Sequence, residues 1–372
     1  LNAAMRGVAK TLYNNIKDIE IYGILDGYKG LIYNNFQKMK DSDFSGILTL
    51  GGTILGTSRQ PFKKMRIPDE NGIDKIAAMK ENYAKNKLDC LVVLGGNGSH
   101  KTANLLSEEG LNVVTLPKTI DNDLWGTDMT FGFQSAVDVA TRAIDCIHTT
   151  AASHGRVFIV EVMGHKVGWL TLHAGIAGGA DVILIPEIPY DTKKIIAALN
   201  NRYKQKKRFS IIAVAEGAIA KEDAALPKKE LKKRQEEIAK KYPSVSYKIA
   251  EEDSKLSKGA LKRKRRESKF PSVSYELAHK LTEATGQEVR ITVPGHTQRG
   301  GAPDSYDRVL STRLGTAAAK LIMNGDFGKM VAVSNNQIKA VPLTDVAGKL
   351  KTVPPDCETV LLAKEAGICF GD

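Results

Sequence analysis

The stretch Leu91-Val92-Val93-Leu94-Gly95-Gly96-Asn97-Gly98-Ser99 is an aliphatic run followed at once by glycines and small polar residues. Four consecutive aliphatic residues suit a strand that is buried on both faces, as strands of parallel sheets are. Glycines after such a strand let the backbone approach a phosphate, and the N–H groups that open the next helix favour an anion. A plain glycine turn with Asn97 or Ser99 as the helix N-cap fits the same residues equally well. The stretch therefore predicts strand, turn and helix, with two interpretations of the turn.

Six further apolar runs repeat this arrangement, and each leads through turn-forming or polar residues into helix-like sequence. They are 47–50, 113–116, 157–162, 181–185, 211–214 and 330–333. Strands that alternate with helices predict parallel sheets, and this many candidate strands indicate more than one sheet. We therefore expect an α/β fold of two doubly wound, largely parallel-sheet domains. Ligands of such folds bind at the carboxyl ends of the strands, which is where the polar signatures lie.

The overall composition is that of a globular chain. It has 372 residues, of which 42% are hydrophobic, and no apolar run approaches the roughly 18–20 residues that cross a bilayer. We expect no membrane partner. The four cysteines lie far apart and form no Cys-x-x-Cys pair, which argues against a disulfide framework and a cysteine zinc site and predicts a cytoplasmic location.

The net charge of +12 is concentrated in one segment. Residues 221–270 hold 17 Lys or Arg and 9 Asp or Glu, including the run Lys262-Arg263-Lys264-Arg265-Arg266. The segment has few aromatic residues for base stacking, so we expect a solvated, basic insertion at 221–269 and no nucleic-acid partner. The motif Pro-Ser-Val-Ser-Tyr occurs twice, at 243–247 and 271–275, which indicates a local duplication. Nucleic-acid binding by this insertion remains the weakest alternative.

A second polar signature, Pro117-Lys118-Thr119-Ile120-Asp121-Asn122-Asp123, follows the run 113–116. Two carboxylates one residue apart are unfavourable for packing but useful for chemistry, because one can accept a hydroxyl proton while the other serves a metal. The neighbouring lysine can neutralise a transferring phosphate. An Asx-rich turn is the alternative interpretation.

A third signature, Pro294-Gly295-His296-Thr297-Gln298-Arg299-Gly300-Gly301, has Arg290 just upstream. A histidine and arginines beside glycines suit the binding of a phosphomonoester, since guanidinium groups bind phosphate oxygens in pairs.

Taken in chain order, the motifs of this sequence resemble those of the phosphofructokinase family, and the resemblance covers nearly the whole chain outside the basic insertion. The motifs are Asn2-Ala3-Ala4-x-Arg6-Gly7, Gly52-Thr53-x-Leu55-Gly56-x-Ser58-Arg59, Gly95-Gly96-x-Gly98-Ser99, Thr119-Ile120-Asp121-Asn122-Asp123, Val160-Glu161-Val162-Met163-Gly164 and Gly295-His296-x-Gln298-Arg299-Gly300-Gly301. The family's first strand and its Gly-Gly-Asp-x-Pro-Gly loop are expected to precede Leu1.

The resemblance implies an enzyme that transfers a phosphoryl group to the 1-hydroxyl of fructose 6-phosphate in glycolysis. Asp121 matches the general base, Thr119 and Lys118 lie beside it, and Asp123 matches a second carboxylate near the metal and phosphates. The implied cofactor is Mg²⁺.

Further family positions match residues that bind the two substrates. Those on the sugar-phosphate side are Arg156, Met163, Gly164, His165, Glu216, Arg290, His296 and Arg299, with Arg156 and Arg290 supplied by a neighbouring subunit. Those on the donor side are Arg59, Gly95, Gly96, Asn97, Gly98 and Ser99. The shared site implies a homo-oligomer, either a dimer or a tetramer. We expect a donor-binding domain of 1–134 plus about 270–302, and a sugar-phosphate domain of 135–220 plus about 303–350.

The sequence departs from the family pattern at two positions. Asn97 replaces a magnesium-binding aspartate, so any metal there loses one negative ligand and keeps an amide oxygen. His165 replaces an arginine. Two other positions bear on the phosphoryl donor. Gly98 favours ATP because it leaves room for a nucleotide, whereas Lys118 is typical of pyrophosphate users. We predict ATP, with two alternatives: a pyrophosphate-dependent phosphotransferase and a non-catalytic sugar-phosphate-binding regulatory homologue.

Overall fold

The computed structural model describes residues 1–227, 229–231, 233, 234, 237 and 272–372. The strands are β1 (Ile21–Ile24), β2 (Phe36–Met39), β3 (Leu91–Gly95), β4 (Val113–Pro117), β5 (Val157–Val162), β6 (Val182–Leu184), β7 (Ser210–Ala215), β8 (Val289–Thr292), β9 (Lys329–Ser334) and β10 (Gln337–Pro342). The helices are α1 (Asn2–Asn15), α2 (Tyr28–Ile32), α3 (Lys75–Lys85), α4 (Asn97–Glu108), α5 (Phe133–His154), α6 (Trp169–Ala177), α7 (Thr192–Lys204), α8 (Lys221–Ala224), α9 (Val273–Thr285), α10 (Ser305–Met323), α11 (Leu343–Val346) and α12 (Glu358–Glu365). Short 3₁₀ helices lie at Asp41–Phe44, Phe62–Lys64 and Gly295–Arg299.

The described residues divide into two compact units. The first contains Leu1–Ala136 and Arg299–Lys351, and the second contains Val137–Gln298 and Thr352–Asp372. The first boundary lies close to the predicted one. The prediction for the later segments was wrong, because it placed 270–302 with the first unit and 303–350 with the second. β8 pairs with β5 in the second unit's sheet, whereas β9 pairs with β4 in the first unit's sheet.

The first unit is built on a four-stranded sheet of order β10-β9-β4-β3. β3, β4 and β9 are parallel, and β10 is an antiparallel edge strand. Alternate residues of β3 and β4 enter two separate apolar clusters, one with α4 and one with α1 and α10. A strand covered on both faces has to be apolar throughout, which explains the continuous run Leu91–Leu94.

The second unit is built on a wholly parallel sheet of order β6-β7-β5-β8. β5, β6 and β7 are buried along their entire length. The predicted α/β class with largely parallel sheets is therefore confirmed in both units.

Four features differ from the predicted elements. Ile47–Leu50 is a turn and not a strand, and its aliphatic residues include the exposed Leu50. β1 and β2 form an antiparallel ribbon, and β8 and β10 are additional strands. All four strands are partly exposed, and β2, β8 and β10 mix apolar with polar residues, so they lack the apolar signal of buried strands.

Two further predictions concern the basic insertion and the absence of a membrane partner. Most of the predicted insertion at 221–269, including its arginine-rich run and the first copy of its repeat, lies outside the described residues. Within the described part of the chain, no helix is both long enough and apolar enough to span a membrane.

Candidate active site

The turn after β3 is shaped by close packing at one glycine and by open space at another. A Cβ on Gly95 would lie 2.3 Å from Ser99 Oγ, so a side chain does not fit there. A Cβ on Gly98 would meet no atom within 4 Å. Protein packing therefore requires Gly95, whereas nothing in the described part of the protein fills the space beside Gly98.

His100, in the first turn of α4, supports this turn from below. Its side chain is fully buried, and Nδ1 donates to the Gly96 carbonyl at 3.0 Å. Burial lowers the pKa of His100 to about 4. The imidazole is therefore neutral near pH 7 and holds the backbone of the turn through this hydrogen bond.

The turns after β3 and β4 lie side by side because the two strands are parallel neighbours. Lys118 N donates to the Gly95 carbonyl at 2.9 Å, and a Cβ on Gly96 would lie 3.7 Å from Thr119 Cβ. The structure thus brings the predicted phosphate turn next to the predicted catalytic loop.

Thr119 orders the backbone that carries Asp121. Its Oγ1 accepts from Asp121 N at 3.1 Å, and its carbonyl accepts from Thr130 Oγ1 at 2.8 Å. Both bonds are well formed, so the base of the loop is held from within the same segment.

Asn122, between the two aspartates, fixes the shape of the loop. It is buried and has a left-handed backbone with φ of 51°, a conformation that asparagine tolerates better than most residues. Its Oδ1 accepts from Thr130 N at 3.0 Å, and its Nδ2 donates to the Asp128 carbonyl. The side chain is thereby turned inward, away from the role of a ligand.

Two predicted cations lie within electrostatic range of the catalytic loop. Burial and the positive charge of Arg299 lower the pKa of Lys118, and the carboxylate of Asp121 opposes that change. Arg299 is exposed, as is Arg59, which lies in the loop before Pro61. The first unit therefore presents positive charge beside Asp121, as phosphoryl transfer requires.

Asn97 differs from an aspartate in a way that the structure explains. Its Nδ2 donates to the Lys349 carbonyl at 3.0 Å, a bond that a carboxylate could not make. Its Oδ1 is buried and has no hydrogen-bond partner among the described residues. Since a buried polar oxygen is normally satisfied, this atom suits a hard cation such as Mg²⁺.

In the second unit, Glu216 shapes the turn that follows β5. Its Oε1 accepts from His165 N at 2.7 Å and from Gly164 N at 3.3 Å. Gly164 has φ of 151° and His165 has φ of 53°, and a Cβ on Gly164 would lie 2.5 Å from the Val167 carbonyl. The turn requires its glycine, and it places the exposed His165 side chain at the carboxyl end of the sheet.

Gln298 links this turn to the one that carries His296. It is 2% exposed, and its Oε1 accepts from Met163 N at 3.2 Å while its Nε2 donates to the Gly295 carbonyl at 3.1 Å. The predicted sugar-side residues Met163, Gly164, His165, Glu216 and His296 are therefore brought together at the carboxyl ends of β5, β7 and β8.

Arg156 and Arg290 lie elsewhere in the second unit. Arg156 precedes β5 and Arg290 is the second residue of β8, so both are near the amino ends of these paired strands. Each forms an ion pair with Glu288, and the hydrogen bond from Arg156 lowers the pKa of that carboxyl. Within one chain, these two arginines are not brought to Met163 and His296.

Comparison with known proteins identifies the family. A sequence profile described as Phosphofructokinase matches residues 1–322. The chain belongs to the phosphofructokinase family. It is 53% identical to the ATP-dependent 6-phosphofructokinase of Spirochaeta thermophila, with 100% of this chain and 94% of the relative covered. It is 48% identical to the protein of that name from Propionibacterium freudenreichii, over 100% of this chain and 96% of the relative.

A solved phosphofructokinase from Saccharomyces cerevisiae has a similar fold. The TM-score is 0.71 at 28% identity, with 98% of this chain matched, and this chain spans 44% of the yeast chain. The profile match ends at residue 322, so β9, β10 and the segment 343–372 lie beyond it.

Three residues that form hydrogen bonds to the loops of this candidate site received no role from the sequence. Asn122 and Gln298 lie inside recognised motifs, and an asparagine between two aspartates was the available signal for the first. The glutamine within Gly295–Arg299 gives no such signal, because its importance lies in a hydrogen bond with Met163 that only the structure shows. Lys351 lies far from every motif, and only the tertiary structure places it beside the catalytic loop.

Proposed function

We propose that this phosphofructokinase transfers the terminal phosphoryl group of ATP to the 1-hydroxyl of fructose 6-phosphate and forms fructose 1,6-bisphosphate. The observation that carries the proposal is the 53% identity, along the entire chain, to a relative named ATP-dependent 6-phosphofructokinase. The local geometry is compatible with this chemistry, because the phosphate turn and the carboxylate loop adjoin at the ends of β3 and β4.

Asp121 is the proposed general base. A carboxylate within hydrogen-bond reach of the sugar 1-hydroxyl can accept its proton as the oxygen attacks the phosphorus. Thr119 holds the backbone of Asp121. Lys118 and Arg299 supply positive charge for the transferring phosphoryl group, which carries its negative charge on three oxygens.

Asn97 Oδ1 and Asp123 are the proposed protein ligands for Mg²⁺. The buried, unsatisfied amide oxygen of Asn97 supports the assignment, and magnesium sites of this kind use only one or two protein oxygens together with substrate phosphates. Bound Mg²⁺ would neutralise charge on the donor phosphates. Asn97 and Asp123 would orient these phosphates toward the acceptor hydroxyl.

The donor side consists of Arg59 and Gly95–Ser99. The backbone of Gly96, Asn97 and Gly98 opens α4, and helix N-termini bind phosphate through free N–H groups and the helix dipole. The space beside Gly98 supports ATP as the donor, since no described protein atom lies within 4 Å of a Cβ there.

The sugar-phosphate side is proposed to use the turns joined by Glu216 and Gln298. In this proposal Met163, Gly164 and Glu216 bind the sugar, and His165 and His296 bind phosphate oxygens. The hydrogen bonds of Gln298 to both turns keep their spacing fixed, which is the preorganisation that oriented binding requires.

We infer a homo-oligomer, dimer or tetramer, in which Arg156 and Arg290 bind the sugar phosphate of a neighbouring copy. A strand of six residues separates Arg156 from Met163, a distance of roughly 20 Å at the usual rise per residue. An arginine at that distance does not reach a sugar bound at Met163 of the same chain. Arg290 is exposed and Arg156 partly exposed at the amino ends of these strands, which suits delivery to a second chain.

The proposed location is the cytoplasm. All four cysteines are free thiols, which suits a reducing compartment. Mg²⁺, ATP and fructose 6-phosphate are the proposed small-molecule partners, and the absence of a nucleic-acid partner remains a prediction.

The proposal is tested by steady-state assays of the intact protein with fructose 6-phosphate and Mg²⁺, using ATP or pyrophosphate as donor. We expect fructose 1,6-bisphosphate to form with ATP, with kcat between about 1 and 100 s⁻¹ as in other kinases. Turnover with pyrophosphate alone would favour the pyrophosphate-dependent alternative. Tight binding of fructose 6-phosphate without turnover would favour the regulatory alternative.

A further inference from the structure

The segment 349–351, here called the strap, contacts both the start of α4 and the loop that follows β4. The Lys349 carbonyl accepts from Asn97 Nδ2 at 3.0 Å. Leu350 forms an antiparallel bridge with Leu124. Lys351 N donates to the Asp123 carbonyl at 2.9 Å. Three consecutive residues thus tie the start of α4 to the loop that carries the two aspartates.

The side chain of Lys351 adds a second set of contacts. Its Nζ donates to the carbonyls of Thr127 at 2.9 Å and Asp128 at 2.8 Å. Burial lowers the pKa of Lys351 to about 8, whereas the negative charges of Asp128 and Asp123 raise it. An ammonium group removed from water in this way requires strong acceptors and nearby negative charge, and the loop supplies both.

The loop from Thr119 to Thr130 has little regular structure of its own. Asn122 holds it through hydrogen bonds with Thr130 and Asp128. Lys351 holds it through hydrogen bonds with Asp123, Thr127 and Asp128. Because reacting groups must be placed to within a fraction of an ångström, the contacts of Lys351 bear directly on where the Asp121–Asp123 segment stands.

We propose that Lys351 is a positioning residue of the phosphoryl-transfer site, which holds the Asp121–Asp123 segment in place through the Asp123, Thr127 and Asp128 carbonyls. The inference rests on the proposed function. It adds to it a residue from the segment beyond 322, where the family profile no longer matches. Lys351 touches neither substrate in this proposal and acts through the loop.

The test compares Lys351→Met with Lys339→Met, which removes an exposed lysine of β10 in the same unit. We expect Lys351→Met to lower kcat by about 10- to 100-fold, with KM for fructose 6-phosphate changed by less than about threefold. The Lys339→Met control should match the wild type in both constants. An unchanged kcat in folded Lys351→Met protein would overturn the proposal.

Hydrogen exchange and a second variant, Lys351→Gln, test the proposal independently of the activity of Lys351→Met. Hydrogen exchange of the amides in 119–130 should be faster in Lys351→Met than in Lys339→Met, and equal exchange would contradict positioning even if the wild type showed no kinase activity. A wild type without turnover but with this difference in exchange would refute the proposed function alone. Should Lys351→Met fail to fold, Lys351→Gln removes the charge and keeps an N–H donor group on a shorter side chain. It should show a lower kcat and a faster exchange than the wild type, and wild-type values would overturn the proposal.

Discussion

At the scale of single residues, the site depends on side chains that shape backbone rather than on reactive groups alone. Asp121 is the proposed base, but its place is set by Thr119 and by the inward-turned Asn122. Glu216 and Gln298 act in the same way on the sugar-side turns. The motifs that contain the candidate catalytic and binding residues therefore also contain the residues whose hydrogen bonds hold them in place.

Asp121→Asn should reduce kcat by about 10²- to 10⁴-fold, because an amide cannot take the proton of the sugar hydroxyl. KM for both substrates should change little, since shape and size are kept. Steady-state kinetics with ATP provide the measurement, and Asp145→Asn, at an exposed position of α5, is the matched control. Turnover of Asp121→Asn equal to that of the control would refute the assigned mechanism.

His100 should make the fold sensitive to mild acid. The pKa of His100 is about 4 in the folded protein, whereas a free histidine has a pKa of about 6.5. Below about pH 6.5 the unfolded chain binds a proton that the folded chain does not, so the free energy of unfolding falls as the pH falls. From about pH 7 to pH 5 this loss is about 2 kcal/mol.

His100→Asn isolates this effect, because its amide can donate to the same Gly96 carbonyl but does not titrate. Urea denaturation at both pH values should show a smaller loss of stability in the variant than in the wild type, by about 2 kcal/mol. Equal losses in the two proteins would show that His100 is not buried in its neutral form.

At the scale of elements, we expect the start of α4 to determine the choice of donor. Gly98→Asp should lower kcat/KM for ATP by about 100-fold or more, because a carboxylate placed at the phosphate turn repels the donor by several kcal/mol. The melting temperature should not fall, since aspartate in the first turn of a helix is more favourable than glycine.

Gly98→Ala is the control for size alone, because a methyl group there meets no described protein atom within 4 Å. We expect a loss of kcat/KM for ATP that is clearly smaller than with aspartate. An ATP activity of Gly98→Asp equal to that of the wild type would place the donor phosphates elsewhere.

The predictability of the elements follows their burial. β3, β4, β5 and β7 were readable from sequence because they are covered on both faces and are therefore largely apolar. Ile47–Leu50 carried the same signal but is a turn, in which Ile47 alone enters an apolar cluster with Phe44 and Met39. β8 and β10 could not be read, since they are partly exposed and mix apolar with polar residues. The partner of β8 also lies far away in the sequence, whereas β10 pairs with the adjacent β9.

The candidate site, like the fold, could be predicted only in part from the sequence. The polar signatures after β3, β4, β5 and β8 lie at the carboxyl ends of these strands as predicted, because parallel sheets dictate that placement. The motif at 2–7 lies instead in α1. The position of Arg156 before β5 followed from the predicted strand at 157–162, whereas that of Arg290 required the pairing of β8 with β5. The contacts of Lys351 could not be predicted from the sequence, because the strap meets the loop after β4 only in the tertiary structure.

At the scale of the whole molecule, the chain crosses from one unit to the other more than once. The predicted assignment of 270–302 and 303–350 was reversed because sequence order does not reveal which sheet a late strand joins. α10 packs on α1 through the close pair Gly7 and Gly315, and a Cβ on Gly315 would lie 2.5 Å from the Ala4 carbonyl. That contact commits the segment after Arg299 to the first unit.

The proposed sharing of arginines between copies predicts complementation. Asp121→Asn and Arg290→Ala chains should each lose most activity alone. When they are dissociated together and reassembled, about a quarter of the wild-type activity should return, because random pairing in a symmetric dimer gives that share of intact sites. Reassembly of each variant with itself is the control. No recovery in mixed oligomers of confirmed composition would contradict the delivery of Arg290 to a neighbour.

The most direct test of the central claim is transfer of label from γ-labelled ATP to fructose 6-phosphate by the intact protein with Mg²⁺. We predict that label appears at the 1-position of fructose 1,6-bisphosphate with the wild type and falls by about 10²-fold or more with Asp121→Asn. Label that remains in ATP, or that reaches the sugar equally fast with Asp121→Asn, would contradict the account.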